Sequence, residues 1–118
     1  MASNPLPATD LKLEISKTGD EAVVRCTGRI SSATSSQLQA AVRELLPQSK
    51  TVVLDLTDVN HMDSSGLGAI VGLYVSARRQ GCALRLINLN PRLKDLFRIT
   101  KLGTIFEGHD DMLGYTPD

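Results

Sequence analysis

Hydrophobic and polar positions along this chain change period several times, and each change marks a new element. Leu11, Leu13 and Ile15 alternate with polar residues, Gly19-Asp20 supplies a turn, and Ala22 to Cys26 resumes an apolar run, which predicts a β-hairpin. After Gly28, the cluster Ser31, Ser32 and Thr34 offers helix caps. Leu38, Ala41, Val42, Leu45 and Leu46 then recur at helical spacing up to Pro47, predicting a helix from about 33 to 46. Thr51 to Leu56 is almost continuously β-branched and apolar, the pattern of a central strand covered on both faces by helices. The next helix is expected from Ser64 to Gly81, with Arg78 and Arg79 opposing the negative end of its dipole and Gly81 as C-cap. Leu84, Leu86 and Ile87 read as a further strand. Asn90-Pro91 then places a cap before a proline at the first helical position, and Leu93, Leu96 and Phe97 carry that helix. Ile105-Phe106 suggests a short terminal edge strand, and 110–115 at most one more turn. The order ββαβαβα, without internal repeats, predicts an α/β fold in which helices pack against a mixed sheet.

Composition narrows this picture. The 118 residues suffice for one domain, and the 3% aromatic content leaves Leu, Val, Ile and Ala to fill its core. The expected division is a flexible arm over 1–10, the domain over 11–108 and a short tail over 109–118. Thirteen basic residues cancel thirteen acidic ones, which removes the positive field that direct nucleic-acid binding needs. The longest strongly apolar stretch, Leu67 to Val75, contains two glycines and is about half of the ~20 residues that span a bilayer. The start, Met-Ala-Ser-Asn-Pro, has neither the basic region nor the apolar run of a signal peptide, so the expectation is a cytoplasmic protein without membrane insertion. Cys26 and Cys82 each fall in an apolar run, with no CxxC or metal-ligand spacing, and read as buried free thiols.

The most informative segment is Met62-Asp63-Ser64-Ser65-Gly66-Leu67-Gly68, where the central strand gives way to the long helix. Open α/β sheets place their sites beyond the carboxyl ends of strands. Ser and Asp at a helix start satisfy unpaired backbone donors, but capping does not explain Gly66 and Gly68, each of which costs ~1 kcal/mol relative to Ala. Projection at about 100° per residue puts Leu67, Ile70, Val71 and Tyr74 toward the core and Ser65, Gly72 and Ser76 opposite, with Gly68 and Arg79 at the border. Such a Gly and Ser face suits close docking of another protein, while tight packing inside the fold accounts equally for any one glycine. A phosphoserine at this place would be tolerated, since its charge of about −2 meets the positive end of the helix dipole. On a closely packed interface beside Asp63, the same charge would oppose binding. The helical projection does not choose between Ser64 and Ser65.

These residues resemble the STAS family, which includes anti-sigma factor antagonists and domains of sulfate transporters. The resemblance runs from about Leu11 to Phe106. It is strongest at Val52-Val53-Leu54-Asp55-Leu56, Val59 and Met62 to Gly68, with support from Gly28-Arg29-Ile30, the Leu93, Leu96-Phe97 pattern, Thr100, Leu102 and Phe106. It implies a single STAS-like domain that, unphosphorylated, binds an anti-sigma factor with serine-kinase activity and so frees a sigma factor. It selects Ser64, the first serine of the motif, as the phosphorylated residue, to be reset by a serine phosphatase. Ser31, Met62, Asp63, Ser65, Gly66, Leu67, Gly68, Gly72 and Ser76 are then the expected partner-binding residues. Ser31 stands where the family usually has Asp. His61 replaces an aromatic or aliphatic residue and is expected to be partly buried and hydrogen-bonded. No cofactor, metal or catalytic residue of its own is expected, since ATP and its metal would belong to the kinase. The alternative is a non-switching STAS interaction subunit of a membrane transport or stress-sensing complex.

Enzyme motifs are a poor match. Neither Ser64 nor Ser65 has the Gly two residues earlier that a nucleophile elbow requires. Gly66-Leu67-Gly68-Ala69-Ile70-Val71 fails the third glycine of a dinucleotide fingerprint, and no Gly-Lys-Ser/Thr phosphate loop occurs.

Overall fold

The computed structural model describes residues 10–99. Strand β1 (Leu11–Thr18) runs antiparallel to β2 (Glu21–Ile30), and the two are joined at Gly19, whose φ of 61° suits a residue without a side chain. Helix α1 (Ser35–Leu45) follows, extended by a 3₁₀ turn over Leu46–Gln48. Then come β3 (Thr51–Met62), α2 (Ser64–Arg79), β4 (Ala83–Ile87) and α3 (Pro91–Ile99). The sheet order is β1-β2-β3-β4, with β2, β3 and β4 mutually parallel. The expected α/β class, mixed sheet and element order are therefore present. The expected terminal strand at Ile105-Phe106 and the last turn lie outside the described residues.

Alternation decides which side of the sheet carries the core. Ala22, Val24 and Cys26 of β2, Val52, Leu54 and Leu56 of β3, and Leu84 and Leu86 of β4 are fully buried in one apolar cluster. Leu38 and Val42 of α1, Ile70, Leu73 and Ala77 of α2, and Leu93 and Phe97 of α3 complete it. The expectation that β3 is covered on both faces by helices is only half met among the described residues. Val53 is buried but stands outside that cluster, and its strand neighbours on the second face are polar. There Arg25 donates to Asp58 at 2.7 Å, and Arg85 lies 4.0 Å from Glu21.

Strands β2 and β3 continue past their apolar runs, and two register shifts interrupt their pairing. Between Arg25↔Asp55 and Thr27↔Asp58, Leu56 and Thr57 together face Cys26; between Gly28↔Val59 and Arg29↔His61, Asn60 is the extra residue. The first bulge is held by Asp55, whose carboxylate accepts from the Thr57 amide at 3.0 Å, the Thr57 hydroxyl at 2.5 Å and the Asn88 side chain at 3.0 Å. Partial burial works against ionisation of Asp55, yet these hydrogen bonds outweigh it and hold the carboxyl below its usual range. Asn88 has a φ of 62°, in the left-handed region.

The helix ends follow the expected chemistry only in part: Thr34 precedes α1 but makes no side-chain cap bond to it, its hydroxyl donating to the Arg29 carbonyl instead. Asn90 accepts from the Leu93 amide at 2.9 Å and so caps α3, with Pro91 as its first residue. Helix α2 ends at Arg79 rather than Gly81. Gly81 then takes a φ of 73°, and the Cys82 amide reaches back to the Ala77 carbonyl at 2.9 Å. Among the described residues, no helix is long and apolar enough to cross a membrane.

Candidate functional site: the start of the long helix

The β3–α2 junction is built by one carboxylate and one glycine. Asp63 has extended backbone (φ −105°, ψ −174°) and its side chain accepts from the Gly66 amide at 3.0 Å, which makes it the N-cap of α2. This hydrogen bond is the main reason the Asp63 carboxyl is held below its usual range; the Ser32 and Ser65 amides and the charge of His61 add to it. Gly66 is buried, and a methyl group built on it would collide with the backbone carbonyl oxygen of Ile30. The absent side chain thus lets the first turn of α2 lie directly on the end of β2. The Asp63 amide donates to the same Ile30 carbonyl at 3.3 Å.

The turn after β2 is drawn to this junction. Thr34 is the one buried polar residue among the described residues; its hydroxyl donates to the Arg29 carbonyl at 2.8 Å and accepts from the Ser31 amide at 3.0 Å. Ser31 itself is half-buried, with its hydroxyl accepting from the Ala33 amide at 3.3 Å. Since the neighbouring Ser32 amide points to the Asp63 carboxylate, Ser31 and Ser64 belong to one surface although 33 residues separate them.

The other expected site residues divide sharply. Ser64, Ser65 and Gly68 are exposed, and nothing lies within 4 Å of a methyl group built on Gly68. Met62, Gly66 and Leu67, expected among the partner-binding residues, are buried, and so can shape the surface only from beneath. Gly72 and Ser76, expected on the outermost face, are half-buried, with Gln39 of α1 at 3.9 Å from the Cβ position of Gly72. Val71, expected in the core, is also only half-buried. The outward ridge instead runs through Ser64, Gly68, Val75 and Arg79, spaced at about whole helical turns. Val75 is 44% exposed and was missed in the sequence. Its spacing of seven residues from Gly68 and eleven from Ser64 was the available signal.

His61 is half-buried as expected, but its side chain makes no hydrogen bond among the described residues. Cys26 and Cys82 are both buried and free, and burial pushes the Cys26 thiol up to about 12. Among the described residues, no three His, Cys, Asp or Glu side chains come together as a metal site would need.

Comparison with known proteins agrees with this architecture. The STAS domain family model matches residues 12–112. The anti-sigma-B factor antagonist of Bacillus subtilis is 32% identical over 98 residues, which cover 83% of this chain and 90% of the relative. The protein of the same name from Listeria monocytogenes is 40% identical over 82 residues, or 68% and 71% of the two chains. Among solved structures, the Bacillus cell fate determinant SpoIIAA in its phosphorylated form superposes with a TM-score of 0.65 at 21% identity, covering 79% of this chain and 86% of that one. The fold, the family match and the identity to these relatives lead to one conclusion: the chain belongs to the STAS domain family, with anti-sigma factor antagonists among its relatives.

Proposed function

We propose that this protein is a cytoplasmic anti-sigma factor antagonist, a binding protein rather than an enzyme, switched by phosphorylation of Ser64. In its unmodified form it binds an anti-sigma factor that is also a serine kinase, and so frees a sigma factor. Transfer of a phosphoryl group from the kinase's ATP to the Ser64 hydroxyl ends the binding, and a serine phosphatase restores it.

The observation that carries this reading is the exposure of Ser64 at the first position of α2, at the head of a ridge that is bare at Gly68 and apolar at Val75. The helix N-terminus accommodates added negative charge, so modification would leave the fold intact. On a docked surface the same phosphate adds desolvation cost and repulsion from the adjacent Asp63 carboxylate, and each ~1.4 kcal/mol so lost weakens binding tenfold. Relatives named anti-sigma-B factor antagonists support the partner class, and a domain of the same fold, SpoIIAA, takes a phosphorylated form.

The test is to incubate the protein with its cognate anti-sigma kinase and ATP and to read intact mass and the motif peptide. One phosphoryl group is expected on the wild type and on Ser65→Ala, and none on Ser64→Ala. Phosphate on Ser64→Ala sinks the assignment. A folded Ser64→Asp protein that binds the anti-sigma factor as tightly as the wild type would instead favour a permanently bound interaction subunit.

A further inference from the structure

A second site lies on the other side of the β3 terminus, between the end of β3 and the first turns of α3. There the structure encloses a cleft of about 330 Å³, within the size range of small-molecule sites, ~300–1,000 Å³. Its apolar lining comes from Met62, Leu93 and Leu96, of which Met62 and Leu93 are buried. Asn60, His61 and Arg92 supply polar groups.

The cleft is built by the second bulge of β3. Asn60 is the extra residue there, inserted after the Gly28↔Val59 pair, and Gly28 has a φ of 116°. The Asn90 side chain donates to the Val59 carbonyl at 3.1 Å and so fastens the start of α3 across the bulge. Bulges commonly re-aim side chains beside functional sites. Two of the lining polar residues already have partners: Asn90 through its cap and its bond to Val59, and Asp95 through Arg98 at 2.9 Å. The side chains of His61 and Arg92 have neither a hydrogen bond nor an ion pair among the described residues. Two donor groups without a hydrogen-bond partner therefore border one apolar hollow, His61 also acting through space on the Asp63 carboxylate. The Asp95 carboxylate is the opposing charge on its rim, and its pairing with Arg98 offsets it.

We propose that this cleft binds a small organic anion, with its apolar body on Met62, Leu93 and Leu96 and its acid group held by Arg92 and the His61 imidazole. Arginine's planar fork suits carboxylate and phosphate alike, and charge-assisted hydrogen bonds to it are the strong ones. A neutral ligand of the same shape would forgo that contact. The site stands apart from the switch: Met62 lies two residues before Ser64, while the ridge of α2 contributes nothing to the lining.

The experiment is titration of the full ¹⁵N-labelled chain with 4-phenylbutyrate, phenyl phosphate and the neutral 4-phenyl-1-butanol, read from amide shifts. Saturable shifts centred on 60–62 and 92–96 are expected with at least one acid, and the stronger of the two identifies carboxylate or phosphate as the preferred group. Arg92→Ala should weaken that acid about tenfold, leave the alcohol unchanged and be partly rescued by Arg92→Lys. Arg92 is exposed, so these variants should fold. The proposal is overturned by equal affinity for acid and alcohol, by an Arg92→Ala protein that binds the acid normally, by shifts centred elsewhere, or by no saturable shift with either acid.

Discussion

The carbonyl oxygen of Ile30 occupies the place where a side chain at residue 66 would begin, and this contact seats α2 on the sheet. Gly68, one half-turn later, meets nothing within 4 Å. The two glycines of the motif should therefore respond to alanine with opposite signs. Gly66→Ala must push helix and strand apart and should destabilise by about 1–3 kcal/mol, the usual cost of overpacking. Gly68→Ala adds only helix propensity and should stabilise by ~0.5–1 kcal/mol. Urea unfolding of both variants decides this, and a loss of stability in Gly68→Ala would contradict the open environment.

The Asp63 cap predicts a specific pH dependence. Its carboxyl is held below the usual range in the folded state, so its contribution is complete above the unfolded value of ~3.9 and is lost as pH falls through the lower, folded value. Asparagine keeps a cap acceptor but does not titrate. The wild type should thus exceed Asp63→Asn in stability at neutral pH, and the difference should shrink as the solution becomes more acidic than about pH 4. Thermal unfolding of the pair across this range is the measurement; a gap independent of pH would exclude a charge effect. Asp55 titrates in both proteins and largely cancels in the comparison.

Asn88 combines a left-handed backbone, φ 62°, with a hydrogen bond to Asp55 at 3.0 Å. Asn88→Ala loses the bond and strains the backbone, for a combined cost of about 1–2 kcal/mol. Asn88→Gly loses only the bond and should cost less than about 1 kcal/mol. The order of the two unfolding midpoints is the check, because equal midpoints would mean that backbone strain contributes nothing.

Sequence periodicity gave a good account of element order, since each core strand offers one face of Val, Leu and Ile and each helix an apolar stripe. It lost β3 after Leu56 because the bulges at Leu56-Thr57 and Asn60 break the alternation by which a strand is recognised. The face of α2 was read nearly right, with Leu67, Ile70 and Tyr74 buried as projected and Val71 only half-buried. Large apolar side chains suggested a buried face that included Val71, but the buried face also takes in Leu73 and the small residues Gly66, Ala69 and Ala77. Leucine and valine report hydrophobicity, whereas only the backbone contact with Ile30 reports why Gly66 must face inward. The Asp63 cap was legible because it depends on local spacing. The proximity of Ser31 to it was not legible from spacing, because it arises from the parallel pairing of β2 and β3.

The exposure of Val75 on α2 yields the most direct test of the docking ridge. Val75 is 44% exposed, three helical turns from Ser64 on the same side, and has no role in the core cluster. Val75→Glu should therefore change folding stability by no more than about 0.5 kcal/mol, as surface substitutions usually do. If α2 docks along this ridge, the variant buries a charge at the interface and should bind the anti-sigma factor at least about tenfold more weakly. Its phosphorylation at Ser64 by excess kinase should persist, because the acceptor hydroxyl is unchanged. Unfolding and binding measured on one preparation separate the outcomes: normal affinity in a folded Val75→Glu protein would confine the interface to the Ser31 and Ser64 end of the helix.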